Sequence, residues 1–383
     1  MPRHHIAIFM YSVSGGGVPR RNVTLANGLA AAGRRVDLVV LNAGGEMRDK
    51  VDPRVRVIEL AGLLTWAPGL RSKRRWQFQT VRRPLARYLA NERPDVLLAA
   101  DNYANLAALA AREIAKATLP VVVSQRNNAS ASIAKRPELV AAIRRDYPQA
   151  EAIVAVSEGV AADLVGLGLP RHKVRTVYNP VIEERFHDAA RAPVEHPWFG
   201  VPGRPLLLGA GRIGPQKDFE TLLAAFAKMR EARPEARLVI LGEGKTPDAR
   251  PELKRFAEGL GLGEVVDLPG RVPDAVPYIA RADLFVLSSR WEGLPGVLIE
   301  ALGCGTPIVS TDCPSGPMEI LDGGRFGRLV PVGDAEALAA AMTAALAEPA
   351  DRERLKARAG LFTTEAAVRT YLALFDGLEA RGS

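Results

Sequence analysis

The sequence predicts an α/β protein built of two Rossmann-like, doubly wound domains facing a cleft. Three observations predict it. Short β-branched runs alternate with helical patterns along all 383 residues. The runs are continuously apolar, as in parallel sheets covered on both faces. A proline-rich stretch without periodicity, 182–204, interrupts the alternation near the middle and reads as a linker.

In the first half the expected strands are Ile6–Met10, Val36–Leu41, Val55–Glu59, Val96–Ala100, Val121–Ser124, Ala152–Val156 and Val174–Tyr178. Helical patterns fill Val23–Ala32, Tyr103–Ala117 and Glu158–Leu167. The second half restarts with strands at Pro205–Ala210, Arg237–Leu241, Val265–Leu268, Leu284–Ser288, Pro307–Ser310 and Arg328–Val330. Its helices are expected at Phe219–Arg230, Glu252–Gly259, Gly296–Leu302 and Glu336–Leu346. Hydrophobic residues make up 48% and charged residues 25%, an ordinary globular composition that excludes a disordered or collagen-like chain. No window approaches the ~18 apolar residues of a spanning helix. The apolar run Ile6–Met10 is too short for a secretory signal core. Two cysteines, Cys304 and Cys313, form no disulfide framework, so buried thiols in a reducing cytoplasm are expected. Charge is uneven: residues 1–180 carry 27 Lys and Arg against 14 Asp and Glu, the remainder 24 against 29. A basic half beside an acidic half points to an anionic partner.

In doubly wound sheets ligands bind beyond the carboxyl ends of the strands, so the loops there carry the chemistry. Ser14-Gly15-Gly16-Gly17 follows the first strand; glycines there let backbone N–H groups approach a phosphate. The dinucleotide fingerprint is absent, because no Gly-x-Gly-x-x-Gly follows the strand and the second strand ends at Leu41-Asn42 without the ribose-binding acid. Gly211–Asp218 holds Arg212 and Lys217 on a loop that opens a helix, which suits a diphosphate. Trp291–Ala301 places Glu292 in a loop and Glu300 a turn inside the following helix. Asp312–Glu319 reads as a helix-capping loop. Gly242–Thr246 ends like a phosphate-binding loop, but Val239 stands where the pattern needs glycine. No Asp-x-Asp occurs and the five histidines show no ligand spacing, so no metal site is expected.

Together, Gly211–Lys217, Glu292–Thr306, Asp312–Leu321 and Gly327–Leu338 resemble the retaining GT-B glycosyltransferases of the large family-4 type, with their Glu-x7-Glu motif. The resemblance implies an acceptor-binding domain over 1–181 and a nucleotide-sugar-binding domain over 205–361. It also implies a C-terminal segment, 362–383, whose helix packs back on the first domain. Carried over by position, Arg212 and Lys217 bind the donor diphosphate, with Gly16 and Gly17 supplying backbone donors. Glu300 takes the ribose hydroxyls and Val272 lies at the base. Glu292, followed by Gly293 and Leu294, contacts the transferred sugar as the catalytic residue. No cofactor is implied; the nucleotide sugar, a UDP-sugar, is a co-substrate, and the leaving charge is stabilised by fixed cations without metal.

Two departures stand out. Val18-Pro19-Arg20 replaces the Glu and Arg that relatives often carry after the double glycine, and Arg126-Asn127 stands where many have His beside the transferred sugar. Farther upstream, Arg71–Arg93 holds eight Lys and Arg and one acid, interleaved with Trp76 and Phe78 and preceded by an apolar loop with Trp66. Residues 60–93 therefore suit an anionic membrane surface, with the three aromatics inserting; Pro84 is expected to interrupt the helix there. The reading is a metal-independent glycosyltransferase, cytoplasmic or peripheral on the inner membrane face, acting on a lipid-linked or polysaccharide-precursor acceptor. Nucleic acid is not an expected partner. A non-catalytic nucleotide-sugar-binding protein and a UDP-sugar epimerase of the same fold are the alternatives.

Overall fold

The computed structural model describes residues 5–14, 16–60 and 74–379. The chain divides into two compact units, one of residues 1–180 with 364–383, the other of residues 181–363. In the first, seven parallel strands are β1 (His5–Ser12), β2 (Arg35–Asn42), β3 (Val55–Glu59), β4 (Val96–Ala100), β5 (Val121–Gln125), β6 (Ala152–Ala155) and β7 (Val174–Thr176). They lie in the order β3-β2-β1-β4-β5-β6-β7. In the second, β8 (Leu206–Ala210), β9 (Arg237–Leu241), β10 (Val266–Gly270), β11 (Leu284–Leu287), β12 (Ile308–Thr311) and β13 (Arg328–Val330) form the order β10-β9-β8-β11-β12-β13. Each sheet thus reverses its winding once, between β1 and β4 and between β8 and β11. The strand ends at these two points are where a doubly wound sheet opens a crevice for a ligand.

Ile6, Ile8, Met10, Leu38 and Val40 pack the first sheet against Leu25 and Leu29 of the helix Gly17–Ala31. Val368, Tyr371 and Phe375 of the last helix, Thr364–Glu379, join the same core. Their three- and four-residue spacing places them on one helix face. A β-carbon at Gly28 would come within 2.6 Å of Val368 Cγ2, so glycine allows the two helices their close approach. In the second unit Leu207, Leu222, Phe226, Leu238, Val286, Leu338 and Met342 form the core. Each such side chain, fully buried, contributes about 1.5–3 kcal/mol.

The expected linker departs from the sequence reading. Residues 182–204 include a helix, Phe186–Arg191, with Phe186 buried. Arg281 donates to the carbonyls of Ala190 and Arg191, and Arg237 lies over Trp198. The aromatic residues among the prolines anchor the stretch to the second unit. The amide groups of Val181 and Ile182 bond the Phe362 carbonyl, so the chain enters and leaves that unit side by side.

The basic run also differs. The helix Arg74–Thr80 gives way at Val81 to a second, Arg82–Glu92, with Pro84 in its first turn, where the missing N–H costs nothing. Phe78, expected to insert into lipid, is buried with its ring edge-on to Phe9 at 5.9 Å. Residues 61–73, with Trp66 and Lys73, and the side chains of Arg74, Arg75 and Trp76 lie outside the described residues. Among the described residues no helix is long and apolar enough to cross a membrane. Cys304 and Cys313 are buried free thiols, and burial pushes both up to about 12.

Candidate functional site

The site in the second unit is built from three loops at the carboxyl ends of β8, β11 and β12. The first, Gly211–Asp218, leaves β8 and leads into the helix Phe219–Ala232. Gly211 has φ +152°, and a β-carbon there would come within 2.5 Å of Lys217 Cε. Glycine at 211 therefore leaves room for the aliphatic stem of Lys217 to lie across the strand end. Ile213 pairs with Gly244 in an isolated bridge, so the rejected phosphate-loop lookalike serves as a brace for this loop, with Val239 buried in β9.

The second loop, 288–295, is stitched to the first. Ser288 Oγ donates to the Lys217 carbonyl at 2.7 Å, and the Arg290 amide donates to the Gln216 carbonyl at 2.8 Å. Arg290 Nε pairs with the buried carboxylate of Asp218 at 2.9 Å. Thr311 Oγ1, at the end of β12, donates to the Ser289 carbonyl at 2.6 Å. The third loop closes on the second through the Glu292 amide, which donates to the Pro314 carbonyl at 3.0 Å. Backbone and side-chain bonds thus fix the mutual positions of loops from three strands.

This framework brings Lys217 and Glu292 together. Lys217 Nζ donates to Glu292 Oε1 at 2.8 Å, and the two side chains are 13% and 9% exposed. Ser289 Oγ donates to the same oxygen at 2.8 Å, and Gln216 Nε2 reaches Oε2 at 3.3 Å. A buried carboxylate persists as an ion-pair partner only when its remaining hydrogen-bonding capacity is met, and Ser289 and Gln216 meet that of Glu292 here. Sequence reasoning missed both, as well as Asp218 and Arg290. A charged residue three positions C-terminal to a strand was the signal that could have marked Asp218's partner, Arg290 after β11; nothing in the sequence marks Ser289.

The other expected residues of this unit lie in the loops and helix that follow β8, β10 and β11. Arg212 is exposed and, among the described residues, makes no hydrogen bond or ion pair. Gly293 and Leu294 are buried behind Glu292. Pro295 is the N-cap of the helix Gly296–Cys304, and Glu300, 3% exposed, is its fifth residue. A carboxylate buried in the second turn of an otherwise apolar helix is not a solvated helix charge. Val272 is half-buried in the loop after β10. In the capping loop Gly316 holds the N-cap of the helix Pro317–Ile320, so no side chain caps that end.

The remaining candidates belong to the first unit. Gly16 is the N-cap of the helix Gly17–Ala31, with φ +125°, and both Gly16 and Gly17 are exposed. Among the described residues no side chain caps this helix, a setting in which first-turn N–H groups can meet an anion. Arg126 directly follows β5 and bonds Asn22 and Asn179. Asn127 accepts from Gln125 through its carbonyl.

Comparison with known proteins identifies the family. Residues 198–361 match the family model described as glycosyl transferases group 1, and residues 15–185 match glycosyltransferase family 4. The lipopolysaccharide core biosynthesis glycosyltransferase LpsE of Rhizobium meliloti is 32% identical over 241 residues, 60% of this chain and 67% of that one. A Campylobacter jejuni N-acetylgalactosamine-N,N'-diacetylbacillosaminyl-diphospho-undecaprenol 4-alpha-N-acetylgalactosaminyltransferase is 31% identical over 57% of this chain and 56% of its own. A Methanocaldococcus jannaschii glycosyltransferase matches over 37% of its length, so the chain spans about one to two thirds of these curated relatives. Among solved structures, sucrose-phosphate synthase from Thermosynechococcus elongatus superposes with a TM-score of 0.81 at 22% identity, over 99% of this chain and 100% of that one. Anabaena HepE in complex with UDP and glucose gives 0.75 at 19% identity, over 97% and 99%. With both halves matched by the family's models and its fold reproduced across the whole chain, the protein belongs to the GT-B glycosyltransferases of the family-4 type.

Proposed function

We propose that the protein transfers a sugar from a UDP-sugar to a lipid-linked or polysaccharide-precursor acceptor, with retention of configuration and without metal. The observation that carries this reading is the Lys217–Glu292 pair, fixed by interlocked loops at the point where the second sheet reverses its winding. Lys217 and Arg212 meet the diphosphate, whose charge grows as the glycosidic bond breaks. Glu300 receives the ribose hydroxyls, Glu292 orients the transferred sugar, and the loop of Val272 borders the base. A leaving-phosphate oxygen takes the acceptor proton on the same face of the sugar, so no dedicated protein base is needed. The UDP complex of HepE supports the choice of base, and the Campylobacter relative's diphospho-undecaprenol name supports the lipid-linked acceptor.

Calorimetry with UDP in EDTA tests the donor reading. Wild type is expected to bind, with Arg212→Ala and Glu300→Gln each about tenfold weaker, or roughly 1.4 kcal/mol. UDP affinity unchanged in both variants would remove the assigned roles. Activity lost in EDTA and restored by Mg²⁺ or Mn²⁺ would remove metal independence. Conversion of a UDP-sugar to its epimer without acceptor would mark an epimerase instead.

The acceptor-side proposal includes peripheral attachment through the basic residues of 60–93. Each is worth about 1 kcal/mol at an anionic surface. Wild type should sediment with anionic but not neutral liposomes at low salt. The triple change Lys73→Glu, Arg74→Glu, Arg75→Glu should release it without altering UDP affinity. No sedimentation of wild type would make the run a solvated face only.

A further inference from the structure

We infer that Arg126 reads an anionic group on the substrate, a sugar carboxylate or a phosphate, and so sets specificity. The inference rests on the sugar-transfer reading above. Arg126 follows β5, and among the described residues its guanidinium is bound only by neutral amides. Nη1 donates to Asn179 Oδ1 at 2.6 Å and Nη2 to Asn22 Oδ1 at 2.5 Å. Asn22 is fully buried, and its amide nitrogen faces Met10 Sδ at 3.4 Å, which turns its oxygen toward the arginine. Arg126 Nε is shielded from water and has no partner. No carboxylate pairs with Arg126 among the described residues. Arg35, Arg54, Arg56, Arg112 and Arg145 of the same unit each have one. A half-buried cation with neutral partners and an idle donor is an incomplete electrostatic site.

A second observation lies on the neighbouring helix. Arg20 and Arg21 precede Asn22 near the start of Gly17–Ala31, which has no acid in its first turn. Cations at that end oppose the helix dipole. Arg21 is buried and its Nη1 reaches the carbonyl of Pro180, the residue after Asn179, so two guanidiniums converge on consecutive residues. In the sheet, β1 and β5 flank β4, so this cluster stands at the carboxyl ends beside the reversal point of the first sheet. An oxyanion at Arg126 would complete the charge and hydrogen bonding of that guanidinium together, and a planar carboxylate or a phosphate suits its fork.

The test uses two probe pairs differing by one anionic group: UDP-glucuronate against UDP-glucose, and glucose 6-phosphate against glucose with UDP present. Calorimetry on wild type should show at least a tenfold preference for the anionic member of one pair. The first pair would place the anion on the donor sugar, the second on the acceptor. Arg126→Gln should abolish that preference, Arg126→Lys should keep part of it, and both should bind UDP as wild type does, which shows them folded. Wild type without preference in either pair, or a preference that survives in Arg126→Gln, overturns the assignment of Arg126 alone. Wild type that fails to bind UDP overturns the donor reading, and this inference with it.

Discussion

Lys217→Ala is expected to lower turnover at least ~100-fold, the usual loss when one fixed donor to a developing negative charge is removed. The same change strands Glu292, a carboxylate only 9% exposed, without its cation. Breaking a buried pair from one side costs about 3–5 kcal/mol of stability, so lost activity in the single variant has two explanations. The double variant Lys217→Ala, Glu292→Gln separates them. It removes both charges, and Ser289 and Gln216 still have an amide to bond. Thermal stability should return toward wild type while activity stays low. Glu292→Gln alone frees Lys217 for the diphosphate, so UDP affinity should hold or tighten as kcat falls, the pattern of an interaction made chiefly in the transition state. If activity recovers with stability in the double variant, the pair is structural and the proposed leaving-group role of Lys217 is wrong.

The sheet architecture was legible because parallel strands buried on both faces leave long apolar runs. Val55–Glu59, Val96–Ala100, Arg237–Leu241 and Arg328–Val330 have the expected bounds, and the others shift by one or two residues. The first helix was less legible: it starts at Gly17, six residues before Val23, because Gly16-Gly17-Val18-Pro19 has no amphipathic period to announce a helix. The linker misled for a complementary reason. Prolines are visible in sequence, whereas the burial of Phe186 depends on contacts that only folding supplies. At the site, Lys217 and Glu292 lie 75 positions apart. Each could be singled out from its own loop, but their ion pair and the supporting Ser289 arise from the β8–β11 neighbourhood.

The buried cluster around Asp37 belongs to the first unit, and its disruption should have a large effect on stability. Asp37 is on β2 with no exposed surface. Arg56 donates to both its oxygens at 2.9 and 2.6 Å, Tyr88 Oη donates at 2.6 Å, and His5 Nε2 lies 2.8 Å away. Burial alone would raise this carboxyl, but the bonds from His5, Arg56 and Tyr88 outweigh it and hold it well below its ordinary value of 3.8. Burial, then the bond to Asp37, pushes the Tyr88 phenol far upward, so it remains a donor. Asp37→Asn keeps the shape and removes the charge, leaving three donor groups around an amide. A loss of about 3–5 kcal/mol is expected. At about 2–4 °C per kcal/mol in a unit of this size, Tm should fall by roughly 10 °C at pH 7. The pH dependence follows from the sign of the shift. Because the folded carboxyl is depressed, its contribution is fully present above the unfolded value near 4 and is lost as pH falls from there toward the folded value. Wild type should therefore lose stability below about pH 4, and the gap to Asp37→Asn should narrow over the same window. Melting curves of both proteins between pH 7 and pH 3 decide it. Equal Tm at pH 7, or a gap that stays constant down to pH 3, would show that the Asp37 charge does not hold β2 to its neighbours.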